Sequence, residues 1–108
     1  MSDTPKPPRT YQAFRTRFPK IANAWDLLRD EEAGGPFDEK TLRLLKLAVA
    51  IGGQREGAVH SGVRKARAAG ASDEEIEHLL ALAASTLGLP PTVMVYSWVR
   101  EQLEGGKR

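Results

Sequence analysis

Residues 36–91 read PFDEKTLRLLKLAVAIGGQREGAVHSGVRKARAAGASDEEIEHLLALAASTLGLPP, and this stretch decides the fold. Asp38 is a good N-cap, with Glu39 in the first turn, where the positive end of the helix dipole favours an anion. Leu42, Leu44, Leu45, Leu47, Ala48, Val49, Ala50 and Ile51 follow, and from Leu44 to Ile51 they cover nearly the whole circumference of a helix. Such a helix belongs in the middle of a bundle or of an oligomer. Gly52-Gly53 ends it. The next helix is expected from about Gln54 to Ala69, with Gly70 at its C′ position. Its apolar residues Val59, Val63, Ala66 and Ala69 are mostly small, which allows a close helix–helix approach. Ser72 followed by Glu75 is a capping box opening a further helix with Ile76, Leu79, Leu80, Ala83 and Leu87 on its apolar stripe.

Working outward, the same 3.6-residue period continues on both sides. Toward the N-terminus, Tyr11, Phe14 and Phe18 form one stripe and Ile21, Trp25 and Leu28 another. Pro19 lies between them, where it breaks one helix or opens the next. Gly34-Gly35-Pro36 is a strong stop. Toward the C-terminus, Gly88 and Pro90-Pro91 precede a sixth helix with Val95, Trp98, Val99 and Leu103. No alternating strand pattern and no repeat is found. The expectation is an all-α chain of about six helices, the third to fifth forming its centre. Residues 10–104 are expected as one domain between short tails at 1–9 and 105–108.

Composition bounds the chemistry. The chain has 108 residues, is 41% hydrophobic and 28% charged, and contains no cysteine. Its length suits one domain. Disulfides, thiolate metal sites, Fe–S clusters and a cysteine nucleophile of its own are excluded. Two histidines, His60 and His78, argue against an all-histidine metal site, and neither a metal nor another cofactor is expected. No apolar run approaches transmembrane length and the N-terminus is polar and proline-rich, so a cytoplasmic chain without a membrane span or secretory signal is expected. The pI near 9.2 invites a nucleic-acid partner. Four of the 16 basic residues (Lys6, Arg9, Lys107, Arg108) but only one of the 14 acidic residues (Asp3) lie in the tails. The remainder is slightly acidic, which argues against such a partner.

One pair stands out as candidate machinery. Glu56 and His60 are four apart on the fourth helix and share a face. A carboxylate beside an imidazole orients the ring and favours its charged form, the arrangement of a general acid or base. The competing reading is a solvated pair near a helix start. Small neighbours, Gly57, Ala58, Ser61 and Gly62, leave room there or let another helix approach closely. Arg64, Lys65 and Arg67 form an anion site or a solvated face. His78 is expected on the surface. Trp25, Trp98, Met94 and Tyr96 line an apolar pocket or belong to core and interface.

The stretch DEKT before a Leu/Ala/Val-rich helix, then VRKARAAGASDEEI, then a helix ending at GLPP resembles the carboxymuconolactone decarboxylase-like proteins, the superfamily that includes the alkyl hydroperoxidase D group. The resemblance covers roughly residues 36–100. It implies an alkyl hydroperoxidase D-like helical bundle that assembles as a homo-oligomer, trimer or hexamer. In the peroxidase branch a glutamate, a Cys-x-x-Cys pair and a histidine carry the activity. Those positions fall on Arg43, Arg55, Ala58 and Gly62, so thiol peroxidase chemistry is not expected. The decarboxylase branch carries Arg-Glu and then His-Val-Arg. Here Arg55-Glu56 and Val63-Arg64 match, while Gly62 stands in place of the histidine. His60 lies two residues away, about 200° around the helix. The leading expectation is an enzyme-like protein of this family without thiol chemistry, a lyase of the decarboxylase type, in which the Glu56–His60 pair read from its spacing acts as acid and base. Arg55 or Arg64 would hold the carboxylate of a small organic acid. The alternative is a non-catalytic binding or assembly module of the same fold.

Overall fold

The structure, a computed structural model, describes residues 9–105. Six helices follow in order: α1 (Arg9–Arg17), α2 (Pro19–Glu32), α3 (Glu39–Gly52), α4 (Glu56–Ala68), α5 (Asp73–Leu87) and α6 (Leu89–Gly105). No strand occurs among the described residues, so the chain is all-α as expected. The expected tails fall almost wholly outside the described residues, except that Arg9 opens α1 and Gly105 closes α6. No helix among the described residues is long and apolar enough to cross a membrane. By its contacts the chain forms two compact units, one ending at Phe37 and one beginning at Asp38.

The first unit is the α1–α2 hairpin. Pro19 opens α2 rather than breaking α1, since the missing N–H of proline costs nothing in a first helical turn. A bidentate pair joins the helices: the Arg15 guanidinium donates to Asp26 Oδ1 at 2.9 Å and Oδ2 at 2.6 Å. That bond holds the Asp26 carboxyl below the usual carboxylate range. Arg15 also donates to the Tyr11 hydroxyl, and the rings of Phe14 and Phe18 sit 5.0 Å apart. Phe14, Phe18, Ile21, Trp25 and Leu28 are all exposed, Ala22 alone being buried among the described residues of this unit.

The second unit packs α3 to α6 around one core. Its buried apolar side chains among the described residues are Leu47 and Ile51 of α3, Val59, Val63 and Ala66 of α4, Ile76 and Leu80 of α5, and Val95, Val99 and Leu103 of α6, with Ala71 of the α4–α5 turn. The expectation of a centre made by the third to fifth helices is corrected here. α6 packs against both α4 and α5 and supplies three core residues, while α4 and α5 touch each other only lightly. The stripe Val95–Val99–Leu103 fits this place because its spacing of four keeps all three on one face. α3 is expected in the middle of a bundle or of an oligomer. Within one chain it buries a single face, and Leu45 and Val49 on the other side are exposed, Val49 by 76%.

The turns set how α4 is presented. α4 ends in a Schellman motif: Ala71 N–H donates to Ala66 O and Gly70 N–H to Arg67 O, with Gly70 at φ +99°. The same pattern closes α3, where Arg55 N–H reaches Ala50 O and Gln54 N–H reaches Ile51 O. Here the left-handed residue is Gln54, at φ +53°, one position after Gly53. This is why α4 starts at Glu56 and not at about Gln54: Gln54 is left-handed, and Arg55 is the extended N-cap. α5 starts on the expected capping box, with Ser72 accepting from Glu75 N–H and Glu75 accepting from Ser72 N–H. Glu75 also pairs with Lys40 at 3.0 Å, tying the first turns of α3 and α5 together.

Candidate functional site

The α4 sequence places Glu56, His60 and Arg64 at i, i+4 and i+8, one face of the helix. Val59 and Val63 are buried in the core, and that fixes the rotation of α4. The Glu56–His60–Arg64 face is thereby turned along α6, where it meets Glu101 and Gln102. His60 Nε2 lies 4.0 Å from Glu56 Oε2 and 3.3 Å from Glu101 Oε2. The pair expected from the i,i+4 spacing is therefore brought together, and a second carboxylate joins it. One turn further, Arg64 Nη1 donates to Gln102 Oε1 at 3.2 Å.

The ring and the acids differ in exposure. The His60 side chain is 22% exposed, whereas Glu56 and Glu101 are exposed by 56% and 65%. The site is thus an imidazole set into the α4–α6 seam with two carboxylates standing over it from the solvent side. His60 Nε2 itself is buried and makes no hydrogen bond. The Glu101 oxygen is close enough, but it does not lie along the direction in which the ring nitrogen bonds, so the contact is one of proximity.

The other expected residues divide. Arg64 belongs to the same seam. Arg55 is exposed at the N-cap of α4, and no hydrogen bond or ion pair among the described residues joins it to the cluster. In the basic run, Arg67 Nε pairs with Asp73 at 3.3 Å and its Nη1 reaches the Leu103 carbonyl at 3.4 Å. His78 is exposed on α5. Met94 and Tyr96 are exposed on α6, while Trp98 packs against the edge of the core.

Gly62 does not provide room for a ligand. A Cβ at this position would meet Leu47 Cδ1 at 3.0 Å and the Leu47 Cα and Cβ at 3.5 Å. The glycine lets α3 and α4 approach closely, and it points toward α3 while His60 points toward α6. This is the half-turn that two residues of helix produce. Gly57 is different, with nothing within 4 Å of an added Cβ.

The carboxymuconolactone decarboxylase family model matches residues 19–101, well over half of the chain. The chain belongs to the carboxymuconolactone decarboxylase family. No curated protein and no solved structure matches it. As a cysteine-less carboxymuconolactone decarboxylase family member it has no thiolate to offer at any position. The position to which the resemblance assigns a catalytic histidine is closed by Leu47. An imidazole and two carboxylates converge instead in the α4–α6 seam.

Sequence reasoning missed Glu101 and Gln102. Both lie between the core positions Val99 and Leu103 of α6. The helical period alone places them off the core stripe, but only the packing of α6 on α4 sets them opposite His60.

Proposed function

We propose that this carboxymuconolactone decarboxylase family chain binds and processes a small organic acid at the α4–α6 seam by acid/base chemistry. The observation that carries this reading is the convergence of Glu56 and Glu101 on the shielded, unbonded Nε2 of His60. A protonated imidazole is a proton donor. In a decarboxylation the C–C bond to the substrate carboxylate breaks, CO2 leaves, and the electron pair stays as a carbanion or enolate. The imidazolium then delivers its proton to that carbon. Arg64, one turn along α4, is the cation placed to hold a substrate carboxylate in exchange for its bond to Gln102. Arg55 remains the alternative holder, from the N-cap.

The test is decarboxylation of 4-carboxymuconolactone by EDTA-treated protein, followed by CO2 release. Catalysed release that His60→Ala abolishes, with the helical spectrum unchanged, is the expected result. Release that is absent, or that is equal in wild type and His60→Ala, overturns the reading.

We also propose that the chain works as a homo-oligomer, a trimer or hexamer. The support is the exposed apolar surface of the second unit, with Leu45 and Val49 on α3, Leu82 on α5, and Leu89, Val93 and Met94 on α6. This surface equally serves the alternative function, a non-catalytic assembly module. Light scattering at micromolar protein is expected to report a multiple of the chain mass, and a value near 11.8 kDa contradicts the proposal.

A further inference from the structure

The charge around His60 suits a cation better than an anion. Glu56 and Glu101 bring two negative charges to within 4.0 Å of one imidazole nitrogen, and the nearest arginine on the same face, Arg64, donates to Gln102. The donor atoms of Glu56, His60 and Glu101 all lie within 4.8 Å of one another. A buried ring nitrogen without a hydrogen bond costs free energy unless something else satisfies it. We propose that Glu56, His60 and Glu101 form a binding site for one divalent first-row transition cation.

The donor set and the spacing both point this way. One imidazole and two carboxylates is a mixed nitrogen–oxygen set of the kind that zinc and its first-row neighbours take, whereas magnesium and calcium prefer oxygen alone. With metal–ligand bonds of about 2.1 Å, neighbouring donors in a tetrahedron stand about 3.4 Å apart. The His60–Glu101 edge is already 3.3 Å, the His60–Glu56 edge of 4.0 Å has to close by about 0.6 Å, and the edge between the two carboxylates, which is within 4.8 Å, by up to about 1.4 Å. Glu56 is more than half exposed, so its side chain is free to make that adjustment. Three protein ligands leave one position of the tetrahedron open.

This site goes beyond the reading given above and competes with it for the same nitrogen. A cation on Nε2 takes the lone pair that would otherwise carry a proton, so the metal-bound and proton-donating forms of His60 exclude each other. It would also neutralise the seam, and a small carboxylate then has an open coordination position to occupy.

The experiment is a calorimetric titration of the full-length, EDTA-treated protein with ZnCl2, needing no substrate. One zinc per chain is expected. His60→Ala and Glu101→Gln should each weaken binding at least about tenfold, and His78→Ala, which alters the other histidine on exposed α5, should leave it unchanged. Circular dichroism checks that each variant is folded. If Glu101→Gln unfolds the chain, Glu101→Asp replaces it and is expected to weaken binding. No binding, binding unchanged by His60→Ala, or binding lost equally in His78→Ala overturns the proposal. The decarboxylation assay on metal-free protein is a separate readout, so the metal site and the organic-acid reading fail independently.

Discussion

Replacing Gly62 by alanine pits two effects of known size against each other. A glycine inside a helix costs about 1 kcal/mol relative to alanine, so propensity alone favours the substitution. The new Cβ, however, would stand 3.0 Å from Leu47 Cδ1 and 3.5 Å from Leu47 Cα. Leu47 is fully buried and lies in the core cluster with Ile51, Val59 and Val63, so its methyl group has little space into which to turn. Overpacking of this kind costs about 1–3 kcal/mol. The net expectation for Gly62→Ala is a loss of about 1 kcal/mol. Gly57 is the internal control. It sits on the same helix with nothing within 4 Å, so Gly57→Ala keeps the propensity gain without the clash. Its gain is under about 1 kcal/mol because it is in the first turn. Thermal melts followed by circular dichroism should place Gly62→Ala below wild type and Gly57→Ala at or above it. At roughly 4–8 °C per kcal/mol for a small domain, the two midpoints should differ by about 5–15 °C. A Gly62→Ala protein as stable as Gly57→Ala would refute the close α3–α4 contact. It would also reopen Gly62 as the place for the family's histidine. Gly62→His carries the argument further, since a ring cannot fit where a methyl group is already tight, and a larger loss of stability with no gain of activity is expected.

Further outcomes follow from the same structure. Ser72→Ala removes the oxygen that caps α5 and should cost about 1 kcal/mol in a urea melt, with Ser72→Asp restoring most of it. Gln54→Gly relieves a left-handed residue at the α3–α4 corner and should raise the midpoint by the equivalent of about 1 kcal/mol; a lower midpoint would mean that the Gln54 side chain contributes more than its backbone costs. The Thr41 hydroxyl and N–H hold the Asp38 carboxyl below its usual range, and the Ser72 N–H with Lys40 does the same for Glu75. Depressed carboxylates give stability that is complete above their unfolded values near pH 4 and is lost as pH falls through the folded ones. The thermal midpoint should therefore decline below about pH 4.5, more shallowly in Asp38→Asn/Glu75→Gln, and an unchanged slope in that variant would contradict the assignment. Hydroperoxide turnover with a dithiol reductant should stay at background, because a chain without cysteine lacks the thiolate nucleophile.

The parts of this fold legible from residues alone are those set by local rules. Asp38, the Ser72–Glu75 box and Gly70 each act within one turn of helix, and each sits where its spacing places it. Pro19 likewise marks the start of α2. What was not legible depends on packing between distant segments. The role of α6 between α4 and α5 is fixed by how Val95, Val99 and Leu103 fit Val59 and Val63, and no local pattern encodes that pairing. Glu101 was hidden for the same reason: an exposed acid beside a core stripe looks like any solvated residue until α4 is laid against it. The Glu56–His60 pair was legible because an i,i+4 contact is local. The Gly52-Gly53 pair likewise marks the end of α3, with Gly53 as its C-cap, and the left-handed residue follows at Gln54.

The most direct test of the organic-acid site is an amide NMR titration of EDTA-treated protein with small mono- and dicarboxylates. The account predicts saturable shifts concentrated at residues 56–64 of α4 and 98–102 of α6, and their loss in His60→Ala. Shifts that are absent, that map to the exposed faces of α3 and α5, or that persist unchanged in His60→Ala would contradict it.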